Sequence, residues 1–301
     1  MLQSYSTMVH FKKLVGRILF LFFFNIVTAS YLCNAQCDSS EQVYTRKTRP
    51  AYTIIGAGAG RLLFRDFETS PLFYKGFKGS LFLGRLRLDK KTEALFDFNS
   101  MAAATSNNFN NTFNRASYFS TELYYHRLYR ICKLSTNQYN TKAGAAIVST
   151  TNLRINEAFG NDAVKGENIT NIMGVIKVSR DISRTSEKTM KLFFIKKKLK
   201  IKKRALSYQL NIGLINLNYR SVYPFLYSGD SKGIVRDLMN DYALSMNGYR
   251  LGSHINYVKY LPNGNGIQYS YYWDIYNAPG KQKAFQMASH TFQISLLFNT
   301  K

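Results

Sequence analysis

From Leu206 to Leu214 the chain alternates strictly: Leu206, Tyr208, Leu210, Ile212 and Leu214 interleave with Ser207, Gln209, Asn211 and Gly213. A period of two puts one face of an extended segment in an apolar medium and the other in a polar one. Phe292, Ile294, Leu296 and Phe298 repeat the pattern around Gln293 and Ser295, and related stretches cover Phe77 to Leu88, Ala94 to Ala103, Ser117 to Ile131, Thr141 to Leu153, Ile169 to Arg180, Gly248 to Tyr260 and Gly266 to Tyr276. The strands predicted this way run about 10 to 15 residues, against 5 to 6 for ordinary globular strands and about 9 to 11 for strands that cross a bilayer. Length therefore favours a membrane.

The connections alternate as well. If the last strand ends on the periplasmic side, Asn277 to Met287, Tyr219 to Asn247, Arg154 to Asn168 and Thr105 to Ala116 become outer loops. Leu261 to Asn265, Cys132 to Asn140 and Asp89 to Glu93 become short inner turns, and Asp181 to Arg204 is long for its inner position. Outer-membrane barrels have this asymmetry and even strand counts. Tyr52 to Phe67 supplies an even-numbering strand, so the expected fold is all-β: an antiparallel transmembrane β-barrel of about ten strands, with eight or twelve as alternatives. Pro50, Pro71, Pro224, Pro262 and Pro279 are all expected between strands, because proline cannot donate to a ladder.

Ahead of this region, Lys12, Lys13 and Arg17 precede the apolar run Ile18 to Phe24 and a weaker stretch ending in CNAQC, the layout of a secretory signal peptide cleaved after Ala35. The expected organisation is a signal peptide at 1–35, a periplasmic tail at 36–50 and the barrel at 51–301. Removing the signal takes three bases and no acids from a formal charge of +24, leaving +21 on the exported part. Cys37 and Cys132 then remain, and an oxidising compartment allows them to pair.

The signal ending NAQ, the tyrosine-rich alternating strands and the terminal stretch HTFQISLLF together resemble the outer-membrane β-barrel proteins of Bacteroidota-type bacteria. The resemblance implies the location, the fold and insertion by the barrel-assembly machinery. It implies no particular activity.

Motifs that elsewhere carry chemistry have blander readings here. Gly56, Gly58 and Gly60 alternate after YTII, whereas a dinucleotide loop needs GxGxxG between a strand and a helix, so they mark a bend or a close backbone approach. His126, His254 and His290 sit within predicted strands with no nucleophile–base motif around them, and no cofactor or metal spacing is present, so a non-enzymatic protein is expected. Asp66 and Glu68, like Asp237 and Asp241, read as unpaired surface acids. The basic run Lys196, Lys197, Lys198, Lys200, Lys202, Lys203 and Arg204 admits three readings: a rim contacting lipid phosphates, a lysine-lined lumen favouring anions, or a solvated periplasmic extension.

Ser231 to Met246 has an apolar residue every fourth position, at Ile234, Leu238, Tyr242 and Met246, which predicts a helix in the largest outer loop. Tyr269, Tyr271, Tyr272, Trp273 and Tyr276 read as an interfacial aromatic girdle. The expected role is structural, binding or accessory within an envelope complex, with outer-membrane lipid and protein contacts through Tyr219 to Asn247 as partners and nucleic acid excluded by export. The alternatives are a narrow anion-favouring channel, or a soluble secreted or periplasmic β-sandwich that binds glycans or anionic surfaces.

Overall fold

The computed structural model describes residues 49–300 except positions 68, 110–111, 157–162, 185, 193–194, 200, 222–241 and 280–283. One antiparallel sheet closes on itself. Strands β1 (Ala51–Asp66), β2 (Ser70–Leu88), β3 (Thr92–Phe109), β4 (Thr112–Arg130), β5 (Tyr139–Asn156) and β6 (Ala163–Asp181) follow in sequence as a meander. A separate hairpin, β7 (Lys188–Leu192) and β8 (Ile195–Leu199), then interrupts the meander, which resumes with β9 (Arg204–Ser221), the short β10 (Tyr242–Ser245), β11 (Tyr249–Tyr260), β12 (Gly266–Pro279) and β13 (Ala284–Asn299). β6 pairs with β9, and β13 pairs with β1 over nearly its whole length, making a closed ten-strand barrel. Each of the ten alternating stretches in the sequence lies on its own barrel strand. A sandwich of two sheets is set aside by the closure.

The strands are longer than the alternation predicts, 16 to 19 residues in β1 through β6. The extra length lies at the end away from the chain termini. There the expected loops Thr105 to Ala116, Arg154 to Asn168 and Asn277 to Met287 are mostly ladder, with Asn107 opposite Asn114, for example. Their Asn and Ser residues read as loop because they are polar on both faces. Backbone pairing does not require an apolar face, so the ladder continues past the apolar belt. The short turns 89–91, 131–138 and 261–265 stand where expected, at the terminal end.

Three local corrections follow from the register. On β9 the alternation slips: Ile172 lies opposite Ile215 and Met173 opposite Gly213, so Leu214 is an extra residue and a β-bulge. Beyond it Ile215 and Tyr219, not the even positions, are exposed. The expected helix is contradicted at its end, because Tyr242–Ser245 re-enter the sheet opposite Ser221–Asn218, and the ladder hydrogen bonds outcompete the helical period; 231–241 lie outside the described residues. The break between β10 and β11 falls at Gly248, whose φ of 105° a side chain would strain. Pro71 and Pro279 sit in strands, but as the second residue of β2 and the last of β12, where a missing donor costs little.

The close approach expected at the alternating glycines is present. All three face the lumen, and a Cβ on Gly60 would lie 1.8 Å from the His290 carbonyl oxygen, while one on Gly56 would lie 2.2 Å from Ser295 Oγ.

Candidate functional site

Alternation sorts every strand into an outward and a lumenal face, and charge is sorted with it. Asp66, Glu93, Asp97, Glu122, Glu167 and Asp274 all face the lumen, and among the described residues no Asp or Glu lies on the outward face of a barrel strand. The outward face is an apolar wall, with Phe77 71% exposed, Leu81 68% and Ile55, Phe292 and Ile147 about half exposed. It carries charge only as bases near the two ends.

The lumen is filled in three polar layers. At the end away from the termini, Asp66 of β1 accepts from Arg154 Nη2 of β5 at 2.8 Å and from Arg220 Nη2 of β9 at 3.2 Å, and Lys165 Nζ of β6 lies 3.4 Å away. Glu167 of β6 accepts from Arg154 Nη1 at 2.5 Å and from Arg220 Nε at 3.1 Å, while Arg220 Nη1 donates to the Ala278 carbonyl at 2.7 Å. All five charged residues are at least nine-tenths buried. Tyr118 donates to Asn152 at 2.7 Å, and Asn152 donates to Glu167 and Tyr276 at 2.9 and 3.0 Å, tying the ion pairs to an aromatic layer of Phe64, Tyr74 and Phe285. Arg154 stacks over the Phe285 ring at 3.9 Å. Three bases against two acids keep this cluster close to neutral, which burial requires.

In the middle, Arg250 of β11 is the hub. It donates to Glu122 at 2.5 Å, to Asp274 at 2.8 and 3.2 Å, to Thr150 at 2.8 Å and to Asn171 at 3.3 Å. Beside it lies a cavity of about 80 Å³ lined by Lys78, Asp97, Glu122, Tyr124, His254 and Tyr272, among others. A water occupies about 30 Å³ in the liquid, so the space suits a few waters or a very small polar solute. Towards the terminal end Glu93 binds Lys177 and Lys142, the latter at 3.4 Å, and lies 3.5 Å from His126 Nε2. His126 Nδ1 pairs with Tyr124 OH at 3.0 Å, which accepts from Gln209 at 2.8 Å.

The positions singled out in the sequence distribute as follows. Lys196, Lys197 and Lys198 lie on β8 of the separate hairpin, Lys202 bridges to Arg184, Arg204 opens β9, and Lys200 lies outside the described residues. Of the basic run, Lys196, Lys197 and Lys198 therefore sit at the terminal end on a two-stranded sheet that closes no part of the barrel wall, whereas Arg204 belongs to a barrel strand. Asp66 is corrected from a surface acid to a buried one, because β1 runs far enough to carry the lumenal parity of Leu62 and Phe64 to it. Glu68, Asp237 and Asp241 lie outside the described residues. Tyr269, Tyr271 and Trp273 face outward as a girdle would, while Tyr272 and Tyr276 have the opposite parity and stand in the lumen. His290 is outward and pairs with Tyr271, whereas His126 and His254 are lumenal. Cys132 opens a short 3₁₀ turn and is disulfide-bonded; Cys37 lies outside the described residues.

The ion clusters are sites that the sequence motifs do not point to. Parity alone is enough to place Asp97 and Glu122 on the lumenal face, since Asp97 lies between Phe96 and Phe98 and Glu122 between Thr121 and Leu123, but not Glu167, which lies between Gly166 and Asn168 in a stretch that reads as loop. Which base meets which acid depends on barrel closure.

No protein-family model matches the chain. No curated protein matches it. Among solved structures it is similar to the translocator domain of the autotransporter NalP from Neisseria meningitidis, at 11% identity over 90% of this chain and 97% of that one, with a TM-score of 0.38. The transport unit of the autotransporter AIDA-I from Escherichia coli is similar at 9% identity over 91% and 97%, TM-score 0.38. The P. putida toluene transporter TodX is similar at 8% identity over 83% and 89%, TM-score 0.27. The likeness to these outer-membrane β-barrels is one of general fold.

Proposed function

We propose that the protein is an exported, non-enzymatic outer-membrane β-barrel whose role is structural, binding or accessory within an envelope complex. One observation carries this reading: an apolar outward wall, with no acid among its described residues, encloses a lumen in which the carboxylates of the end layers are paired. Water would not tolerate so continuous an apolar surface on a monomer, and a bilayer would not tolerate unpaired charges facing it. A lumen filled by side chains is what a barrel little larger than eight strands has room for, which leaves the loops and the outward wall as working surfaces. Partners would meet the chain through the Tyr219 to Asn247 loop, of which 222–241 lie outside the described residues.

The test is fractionation of cells expressing the full chain, followed by gels of heated and unheated samples. Recovery with outer membranes and heat-modifiable migration are expected. Recovery in the soluble periplasm with no heat-modifiable form overturns the reading.

A narrow conduction path is the second reading, favoured by the cavity beside Arg250. Its lining, with Asp97, Glu122 and Asp274 against Lys78 and Arg250, has no excess of bases. An anion preference would therefore have to arise elsewhere along the path, and ion selectivity in planar bilayers decides it.

A further inference from the structure

The bases on the outward wall are unevenly placed. Near the terminal end they are spread around the barrel, at Arg85 on β2, Arg127 on β4, Arg180 on β6 and Lys259 on β11. Near the other end they gather on one side. Arg61 and Arg65 of β1, Lys75 of β2 and Arg115 of β4 all face outward there, and among the described residues no other barrel strand has an outward base at that end. The register makes them one patch. Lys75 lies opposite Leu63, between Arg61 and Arg65, and on its other side opposite Ser106, which lies opposite Arg115. With strands about 4.8 Å apart, the Lys75 and Arg115 backbones are roughly 10 Å apart, within reach of a single headgroup for two long side chains.

Two of the three arginines, Arg61 and Arg65, are set on aromatic rings. The Arg65 guanidinium lies 4.0 Å from the Phe67 ring centre and 4.2 Å from that of Phe73, and donates to Gln286 at 2.9 Å; Arg61 lies over Phe77 at 5.2 Å. Such stacking fixes the plane of the guanidinium while leaving N–H edges to meet phosphate oxygens. Directly below runs a row of small outward residues, with Ala59 opposite Gly79 and Gly79 opposite Ala102, ending at Phe292 on one flank and Phe119 on the other. A Cβ on Gly79 would meet nothing within 4 Å, and Phe77 and Leu81 stand on either side of it, so the wall has a furrow there.

We infer that this patch binds an outer-leaflet lipid carrying more than one phosphate, its headgroup held by Arg61, Arg65, Lys75 and Arg115 and an acyl chain laid over the Ala59–Gly79–Ala102 row. The inference rests on the membrane-barrel reading. Charge complementarity chooses the occupant: four clustered bases, on a wall with no acid among its described residues, and an apolar furrow continuing towards the membrane core match an anionic head joined to a chain.

The test uses the full chain in neutral detergent, first checked for heat-modifiable migration, with lipid A bearing two phosphates as probe and the same lipid stripped of phosphate as control. Tighter binding of the phosphorylated lipid is expected, by roughly tenfold or more. R61Q/R65Q/K75Q/R115Q should lose that preference and R85Q/R127Q should keep it. Equal binding of the two lipids, an unchanged quadruple variant, or the same loss in R85Q/R127Q overturns the inference. Inorganic phosphate competing as well as the lipid would identify a free-anion site and overturn the lipid assignment. If the quadruple variant fails to form the heat-modifiable species, Lys75→Glu alone, compared with Lys259→Glu, carries the same expectation. Wild-type protein with no heat-modifiable form would instead overturn the barrel reading, before lipid is added.

Discussion

Arg220 on β9 and Asp66 on β1 stand 154 positions apart in the chain and nearly opposite each other in the barrel, yet Arg220 Nη2 donates to Asp66 Oδ1 at 3.2 Å through the lumen. Arg154 reaches the same carboxylate from β5, so Asp66 is held from both sides. This contact can form only after the sheet closes.

Removing one partner from this cluster should cost far more than removing a surface base. Arg220→Ala strands parts of two buried carboxylates and should destabilise the barrel by about 3 to 5 kcal/mol. Arg154→Ala should behave alike. Lys259→Ala, on the outward face, should change stability by less than about 0.5 kcal/mol. Urea titrations of the detergent-folded protein, read by the loss of the heat-modifiable band, compare the three. Equal midpoints would show that the outer ion cluster does not brace the barrel.

The lumenal glycines make a second, steric prediction. A Cβ at Gly60 would collide with the His290 carbonyl, and one at Gly76 would lie 1.9 Å from that of Ala104, so the strands must part to admit a side chain. Gly60→Val should lower stability by about 1 to 3 kcal/mol or prevent closure, since overpacking of this kind forces the backbone to shift. Gly79→Ala fills open space on the outward face and should be close to neutral. The same urea titration reads both, and an equal effect of the two would refute the steric account.

Much of this architecture is legible in the amino-acid sequence, for a specific reason. A lipid-facing wall imposes a single chemical rule on every second residue, so Leu81, Ile147, Ile255 and Phe292 announce their strands locally. Where the environment changes, the rule weakens. Asn107 and Asn114 pair in the ladder beyond the apolar belt and read as loop, and Tyr276 reads as girdle because tyrosine suits both the interface and a hydrogen-bonded lumen. Leu214 keeps the apolar period along the chain although the bulge moves the outward face to Ile215. The lumenal partners are illegible altogether: Asp66, Arg154, Glu167 and Arg220 come from four strands, and only closure and register select their pairing.

Cys132 gives a covalent prediction. It is disulfide-bonded in the 3₁₀ turn after β4, at the terminal end. If export removes residues 1–35, Cys37 is the other cysteine left in the chain. Non-reducing peptide mapping of the exported protein should therefore find Cys132 joined to Cys37. A loop of this length stabilises by up to about 5 kcal/mol in the chain-entropy account, so Cys132→Ser should lower the urea midpoint. Free thiols at both positions would dismiss the tether.

Conductance separates a plugged barrel from a channel. The Glu93 layer, the Arg250 hub and the Arg154–Glu167 layer succeed one another along the lumen, and the cavity beside Arg250 is about 80 Å³. Ion passage would require several charge-assisted hydrogen bonds to break together, so wild-type protein in planar bilayers should show no sustained current. Arg250→Ala removes the central hub, and Glu122→Ala with it limits the carboxylates deprived of that guanidinium to Asp274. The double variant should gain discrete current steps, and adding Arg154→Ala with Glu167→Ala should enlarge them. Steady wild-type current would transfer the working surface from the outer wall to the lumen. If it came with cation preference, the carboxylates at Asp97, Glu122 and Asp274, rather than the basic run at Lys196 to Arg204, would be its selectivity determinants.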